Sequence, residues 1–163
     1  MLIGIISDVH DRTRNLLNAL ERLRALGCEH LLFLGDMATP ASLRTLCESW
    51  EGELYMVLGN CDYPAEDFLA CAAQYPHARH HGDAAELLLD SRRIFMTHDP
   101  AFALRAAAFT AFDAVFFGHT HLAEQQKQGS TLLANPGDLQ GRFGSPSFAV
   151  YDTTAHTLNH YSL

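Results

Sequence analysis

The chain has 163 residues, of which 48% are hydrophobic, and its formal net charge is -8. This length and composition are typical of one domain with a packed core, so we expect a single domain over residues 1–163. The negative charge argues against binding of long duplex nucleic acid, which depends on Lys and Arg side chains. No apolar stretch is long enough to span a bilayer, and the first residues do not form a signal peptide. We therefore expect a cytoplasmic protein that does not bind membranes.

The four cysteines lack the CxxC spacing of metal and redox motifs. Without a signal peptide, they are expected to be reduced thiols. Cys28, Cys47 and Cys71 fall at or within predicted helices and are expected to be small buried side chains. Only Cys61 lies within a motif of polar residues.

The first part of the chain alternates apolar runs with helical patterns. The run Leu2–Ile6 predicts a buried strand, and the spacing of Leu16, Leu20 and Leu23 predicts a helix that ends near Gly27. Thr39-Pro40 provides an N-cap and a first-turn proline for a second helix. Two more strands are predicted at residues 31–34 and 54–58. This βαβαβ order predicts a largely parallel sheet.

The middle of the chain contains weaker signals. Phe68, Leu69 and Ala72 mark a short helix, and the polar residues 77–83 are predicted to be a surface loop. Residues 87–89 and 93–96 are typical of a hairpin whose second strand leads to His98. An alanine-rich helix over residues 101–109 then precedes a strand that ends at Phe117.

After His121 the pattern consists of strands alone. We predict them at residues 123–128, 131–134, 148–151 and 156–161, with a turn at Gly129-Ser130. These hairpin signals predict a second, mainly antiparallel sheet packed on the first. The predicted fold is an α/β sandwich of two packed sheets flanked by helices.

Polar side chains with metal-binding atoms follow five of the predicted strands. In open α/β sheets, ligands bind beyond the carboxyl ends of the strands. Seven donors exceed the four of a tetrahedral site and fit two ions that share a carboxylate, with positions left for water and substrate. Asp36 is the natural shared ligand, because each of its oxygens can bind one ion. The seven candidate ligands are Asp8, His10, Asp36, Asn60, His98, His119 and His121.

These residues resemble the sequence blocks of the calcineurin-like metallophosphoesterase superfamily. The five blocks correspond here to Asp8-Val9-His10, Gly35-Asp36, Gly59-Asn60-Cys61-Asp62, Thr97-His98 and Gly118-His119-Thr120-His121. The cysteine in the third block, the short chain and Asn135-Pro136-Gly137 resemble the YfcE-type phosphodiesterase branch.

The resemblance implies a four-layer αββα fold and two divalent metal ions. It implies that one ion is held by Asp8, His10, Asp36 and His121, and the other by Asp36, Asn60, His98 and His119. Two such ions can hold a bridging hydroxide that attacks phosphorus, so hydrolysis of a small phosphodiester needs no protein nucleophile. Manganese is the first choice of metal, with iron, nickel, cobalt and zinc chemically admissible.

Five residues are candidates for catalytic roles: Asp36, Asn60, Cys61, Asp62 and Arg142. Asn60 is a neutral ligand that limits the negative charge at the second ion. Cys61 stands where many relatives have histidine, and a thiol near its usual pKa of about 8.5 can donate a proton but makes no cationic contact with phosphate. Asp62 either supports a neighbouring side chain or stabilises a turn. The planar guanidinium of Arg142 suits two phosphate oxygens.

Three carboxylates depart from the pattern of the superfamily. Asp11 follows His10 where Gly is common, Asp99 follows His98 where relatives continue with Gly and His, and Asp138 stands where the Asn-Pro-Gly motif usually ends in Ser. Near the approach path they would repel a dianion, unless they orient the imidazole rings of metal ligands.

Two other functions stay open. A related branch of the same fold serves as a scaffold subunit in a membrane-trafficking coat, so a non-catalytic interaction module is one alternative. The seven intact donors favour the enzyme. A phosphomonoesterase is the other alternative function, although Cys61 and the lack of long insertions favour a diesterase. An exposed apolar patch on the second sheet would favour a homo-oligomer.

Overall fold

Eleven strands and four helices follow one another in the computed structural model, which describes residues 1–109 and 111–163. In chain order they are β1 (Leu2–Ile6), α1 (Thr13–Ala25), β2 (His30–Phe33), α2 (Pro40–Ser49), β3 (Glu53–Met56), α3 (Ala65–Ala72), β4 (Ala78–His80), β5 (Ala84–Leu89), β6 (Arg92–Thr97), α4 (Pro100–Phe109), β7 (Ala114–Phe116), β8 (Ala123–Gln128), β9 (Thr131–Pro136), β10 (Ser147–Asp152) and β11 (Thr157–Ser162).

The first sheet has the strand order β11-β10-β1-β2-β3-β4. Strands β1 to β4 are parallel, as the βαβαβ pattern predicts. β10 pairs with β1 in the antiparallel direction, and β11 pairs with β10, also antiparallel. The N-cap of α2 is also confirmed, because the hydroxyl of Thr39 accepts a hydrogen bond from the backbone N–H of Ser42 at 3.3 Å.

The second sheet has the order β5-β6-β7-β9-β8, with β6, β7 and β9 parallel in its centre. The prediction that all the late strands form one mainly antiparallel sheet was wrong, because β10 and β11 join the first sheet. The reason lies in β10, where Phe148 and Val150 pack on one face and Ala149 and Tyr151 on the other. A strand that is apolar on both faces needs a layer on each side, and the place beside β1 provides both.

The prediction of a loop at residues 77–83 was also wrong in part, because Ala78–His80 forms β4 at the edge of the first sheet. β4 pairs with β3 through backbone groups, and a pattern of side chains does not predict such pairing. The side chains stay polar since an edge strand faces solvent. Arg79 forms an ion pair with Glu53 on β3 at 2.7 Å.

Three apolar clusters separate four layers. The middle cluster lies between the sheets and includes Ile3, Ile5 and Phe116. A second cluster packs the first sheet against α1, α2 and α3, and a third packs α4 on the second sheet. The predicted four-layer αββα arrangement is confirmed. Cys28, Cys47 and Cys71 are buried free thiols, as expected.

Among residues 1–109 and 111–163, no helix combines the length and the apolarity needed to cross a membrane.

The middle cluster provides a test of the packing between the sheets. Phe116 is fully buried, and its ring meets that of Tyr151 from the opposite sheet at a centroid distance of 5.4 Å. We expect Phe116→Ala to lower the free energy of unfolding by about 3–5 kcal/mol, because the lost contacts leave a cavity between two sheets. Urea unfolding of the metal-free protein measures this change.

Leu88→Ala is the matched control, because Leu88 is 72% exposed on β5. Its effect should stay within about 0.5 kcal/mol. Equal midpoints for the two variants would contradict the described packing.

Candidate metal centre

The seven predicted ligands come together at one edge of the two sheets. The neighbouring strands that precede them are parallel within each sheet, so their carboxyl ends lie at the same edge. The first sheet contributes Asp8 after β1, Asp36 after β2 and Asn60 after β3, and the second contributes His98 after β6 and His119 and His121 after β7, with His10 two residues beyond Asp8.

One group of donors surrounds Asp8. Its Oδ1 lies 3.4 Å from Nε2 of His121 and 3.7 Å from Nε2 of His10, and the two imidazole rings are stacked. Nitrogen and oxygen donors bind ions such as zinc at about 2.0–2.2 Å, which places two donors on one ion roughly 3–3.5 Å apart. The spacing is thus that of ligands around a common ion.

Two atoms of this group are buried without a hydrogen-bond partner in the described part of the chain, namely Oδ1 of Asp8 and Nε2 of His10. A buried polar atom without a partner is unfavourable, and a carboxylate more so. The proximity of Asp8 outweighs burial and raises the pKa of His10. The carboxylate of Asp8 therefore favours positive charge beside it, and a metal cation would provide that charge.

A second group of donors surrounds Asn60. Its Oδ1 lies 2.8 Å from Nδ1 of His119 and 3.2 Å from Nε2 of His98, and these two nitrogens are 3.2 Å apart. The other nitrogen of His98 lies 2.8 Å from the carbonyl oxygen of Leu34, which fixes the orientation of the ring.

Asp36 lies between the two groups. Its Oδ2 is 3.5 Å from Nε2 of His10 on one side and 3.5 Å from Nε2 of His98 on the other. Burial alone would raise the pKa of Asp36, but His98 and the backbone N–H of Cys61 outweigh it and lower the pKa to about 2. Asp36 is therefore a carboxylate at neutral pH, available to both groups.

The backbone at the site is strained. Asp8, His10, Asp36, His119 and His121 all adopt positive φ angles, which non-glycine residues rarely do. Such residues cost about 1–3 kcal/mol each and persist where the surroundings hold them. The pattern of polar residues after predicted strands gives no indication of these φ angles.

Two glycines leave the space that the ligands need. A Cβ atom at position 59 would collide with the carboxylate of Asp36, and one at position 118 with the hydroxyl of Ser7. The glycines of the third and fifth sequence blocks thus permit close approach of the backbone to the site.

Asp62 lies beneath the site. Its buried carboxylate accepts hydrogen bonds from the backbone N–H groups of Asp36, Met37 and Gly59 at 2.8 Å and of Ala38 at 3.0 Å. It joins the segment after β2 to the segment after β3. Asp62 therefore positions Asp36, and it is not among the residues that line the cavity over the metal ligands.

Of the three unexpected carboxylates, one contacts a metal ligand. Oδ2 of Asp138 lies 2.7 Å from Nδ1 of His121, which leaves Nε2 to face Asp8. Asp11 instead accepts hydrogen bonds from the hydroxyls of Thr39 and Ser42, and Asp99 caps the first turn of α4.

Sequence reasoning missed two supporting residues. Ser7 donates to Oδ2 of Asp8 at 2.6 Å, which leaves Oδ1 for a metal. Asn135 is fully buried and donates to the carbonyl oxygen of Gly118 at 2.9 Å. Both residues lie at or beside the ends of strands. The search for polar residues at strand ends, which identified the predicted ligands, could therefore have identified them too.

A cavity of about 360 Å³ lies over the ligands. Arg142, Phe143 and Cys61 line it together with His10, Asp36, Asn60, His119, Thr120 and His121. Burial, with the nearby charge of Asp36, raises the pKa of Cys61 to about 11. The expectation of a thiol near its usual pKa was therefore wrong, because the sequence shows neither the burial of Cys61 nor its proximity to Asp36.

Comparison with known proteins decides the family. The family model of the calcineurin-like phosphoesterase superfamily domain matches residues 1–156. The chain belongs to the calcineurin-like phosphoesterase superfamily. By membership it is a hydrolase of the metallophosphoesterase type, and its Asp and His clusters are consistent with the divalent metals of that superfamily.

Named superfamily members are similar over most of the chain. Phosphodiesterase MJ0936 of Methanocaldococcus jannaschii is 25% identical over 156 residues, covering 94% of this chain and 93% of that protein. Phosphodiesterase YfcE of Escherichia coli is 25% identical over 167 residues, covering 93% and 88%. The resemblance to the YfcE-type branch is thus confirmed.

Solved structures of other proteins share the fold. The structure of an archaeal phosphodiesterase superposes with a TM-score of 0.92 at 24% identity, covering 100% of both chains. Vps29 of Entamoeba histolytica, in a complex with zinc, superposes with a TM-score of 0.67 at 19% identity, covering 99% of this chain and 91% of that one.

The contact between Asp138 and His121 provides a test of the site. We expect Asp138→Asn to weaken manganese binding by about tenfold to a hundredfold, because the imidazole loses the carboxylate that orients it. Calorimetric titration of metal-stripped protein measures the affinity.

Asp11→Asn is the matched control, because Asp11 is a nearby carboxylate that contacts hydroxyls rather than an imidazole. It should change the affinity less than about twofold. Equal losses in both variants would assign the effect to net charge and contradict the positioning role of Asp138.

Proposed function

We propose that this chain, as one domain over residues 1–163, is a metal-dependent phosphodiesterase that hydrolyses small phosphodiesters at a centre of two divalent ions. The observation that carries the proposal is the position of Asp36, whose Oδ2 lies 3.5 Å from a nitrogen in each of two donor groups. A carboxylate placed in this way suits two ions rather than one.

In this proposal each ion has four protein ligands and shares Asp36 with the other. When bound, the ions supply an activated water molecule as the nucleophile and polarise the phosphoryl oxygens. The oxygen-rich donor set suits manganese, and the nitrogen donors also admit iron, nickel, cobalt and zinc. The ligands of one ion are Asp8, His10, Asp36 and His121, and those of the other are Asp36, Asn60, His98 and His119.

Arg142 is proposed to bind the phosphate. It lines the cavity over the ligands, and its guanidinium packs on the exposed ring of Phe143 with 5.4 Å between the guanidinium carbon and the ring centroid. A guanidinium can bind two phosphate oxygens side by side. Asn60 adds no charge at the second ion, which keeps that ion a stronger Lewis acid.

Cys61 is proposed to limit the range of leaving groups. With its pKa raised to about 11, the thiol stays protonated at neutral pH but is a weak acid. Efficient general acids have pKa values near the working pH. The site should therefore prefer esters whose leaving group departs without a proton, such as aryl esters, or strained cyclic diesters.

The first experiment is hydrolysis of bis(p-nitrophenyl) phosphate by metal-stripped protein titrated with manganese and other divalent ions. We expect turnover that depends on metal and falls by at least about a hundredfold in Asp36→Asn, because this variant removes the shared carboxylate. Asp67→Asn on the exposed surface of α3 is the control and should retain full activity.

The outcome also separates the alternatives. Faster hydrolysis of p-nitrophenyl phosphate than of the diester would favour a phosphomonoesterase. No turnover of either ester by folded, metal-loaded protein would favour a non-catalytic interaction module.

A second experiment concerns Cys61→His. An imidazole is a better matched proton donor, so we expect the rate on alkyl leaving groups to rise by about tenfold to a hundredfold and the rate on aryl leaving groups to change little. Initial rates on a dialkyl phosphodiester, followed by release of the alcohol, and on bis(p-nitrophenyl) phosphate measure the two effects. Cys61→Ala controls for loss of the thiol, and an unchanged or lower alkyl rate in Cys61→His would contradict the role.

A further inference from the structure

A second and larger cavity, of about 570 Å³, adjoins the cavity over the metal ligands. The two cavities share Asn60 and His119 as lining residues. A phosphodiester whose phosphorus lies at the metal ligands therefore has room for one of its ester groups in this second cavity. We refer to it as the ester cavity.

The charge of the ester cavity is opposite to that of its neighbour. Asp83 and Asp99 are exposed carboxylates in its wall, and among the described residues no Arg or Lys side chain lines it. Arg142 lines the other cavity. Asn60 and His119 thus separate a side that attracts anions from a side that attracts cations.

The carboxylate of Asp83 has no structural role within residues 1–109 and 111–163. Its backbone carbonyl oxygen accepts a hydrogen bond from the hydroxyl of Thr97 at 3.0 Å, but its side chain forms neither a hydrogen bond nor an ion pair there. The charge is therefore free to interact with a ligand. An uncharged group would partly desolvate it without compensation, and an anionic group would be repelled.

The remaining wall is apolar and partly aromatic. Tyr63 is 74% exposed and Phe102 is 41% exposed, and Leu58 and Pro100 line the same cavity. The guanidinium carbon of Arg105 lies 5.9 Å from the centroid of the Phe102 ring, so that ring already has a cation partner, and Tyr63 is the exposed aromatic side chain open to a ligand. An aromatic face together with carboxylates favours organic ammonium groups, which are attracted by the ring quadrupole as well as by the negative charge.

We propose that the ester cavity binds the alcohol portion of a phosphodiester that carries a quaternary ammonium or amine group. The inference rests on the proposed function, because it assumes that the phosphate binds beside Arg142 at the metal ligands. It assigns Asp83 and Tyr63 to substrate selection, and it places the cationic and anionic ends of the substrate in separate cavities.

The test compares three p-nitrophenyl diesters that share one leaving group. One is the choline ester, the second replaces its trimethylammonium group by an uncharged tert-butyl group, and the third carries a carboxylate at the same place. We expect kcat/KM of manganese-loaded protein to be about tenfold higher for the choline ester than for the tert-butyl ester, and lowest for the carboxylate.

Variants identify the side chains that cause the preference for the choline ester. Asp83→Asn should reduce the ratio of choline to tert-butyl ester by about threefold, and Tyr63→Leu should also reduce it, since leucine keeps the apolar bulk but removes the aromatic face. Glu21→Gln removes one charge from the exposed surface of α1 and should leave the ratio unchanged. A ratio near one, or a ratio insensitive to Asp83→Asn and Tyr63→Leu, would overturn the proposal.

A binding measurement keeps the inference separate from the proposed function. Calorimetric titration with choline phosphate and with its tert-butyl isostere reports the preference without turnover. Turnover of all three diesters at equal rates, with equal binding of the isosteres, would refute the ester cavity and leave the diesterase intact. Absence of turnover would refute the diesterase, and the binding ratio would then decide whether the cavity selects ammonium groups.

Discussion

The buried carboxylate of Asp62 is the interaction on which the site depends. It accepts four backbone N–H groups from two segments that follow neighbouring strands, and thereby holds Asp36 between the two donor groups. Asp36 in turn accepts the backbone N–H of Cys61 at 2.7 Å through the oxygen that does not face the histidines. The carboxylate of Asp36 is thus held in place by backbone hydrogen bonds between the two donor groups.

Much of the fold and the ligand set can be predicted from the sequence, because both depend on local patterns. Apolar runs that end in polar residues identify β1, β2, β3, β6 and β7, and parallel strands bring those ends together. The partners of β10 and the existence of β4 could not be predicted, since they depend on layers and backbone pairing that distant segments provide. The sequence suggested that an added carboxylate orients an imidazole, but it could not show that Asp138 does so, because its partner His121 lies 17 residues away in the chain.

The additional carboxylates affect the chemistry in different ways. Asp138 orients the imidazole of His121 through its contact with Nδ1 at 2.7 Å. Asp11 stabilises the start of α2 through two hydroxyls and contacts no imidazole. Asp99 caps α4 with one oxygen and contributes its charge to the wall of the ester cavity. The acidic side chains that contribute to the net charge of -8 therefore differ in their roles.

The ligands are divided between the two sheets, with Asp8, Asp36 and Asn60 on one and His98, His119 and His121 on the other. Besides the apolar cluster between them, the sheets are joined at the opposite edge by polar contacts, such as the hydrogen bond from Arg92 to the carbonyl oxygen of Thr153 at 2.9 Å. Ions bound to both sets would act as a cross-link that opposes sliding of one sheet over the other. The heat resistance of the protein and its occupancy by metal would then rise together, by the linkage between ligand binding and folding.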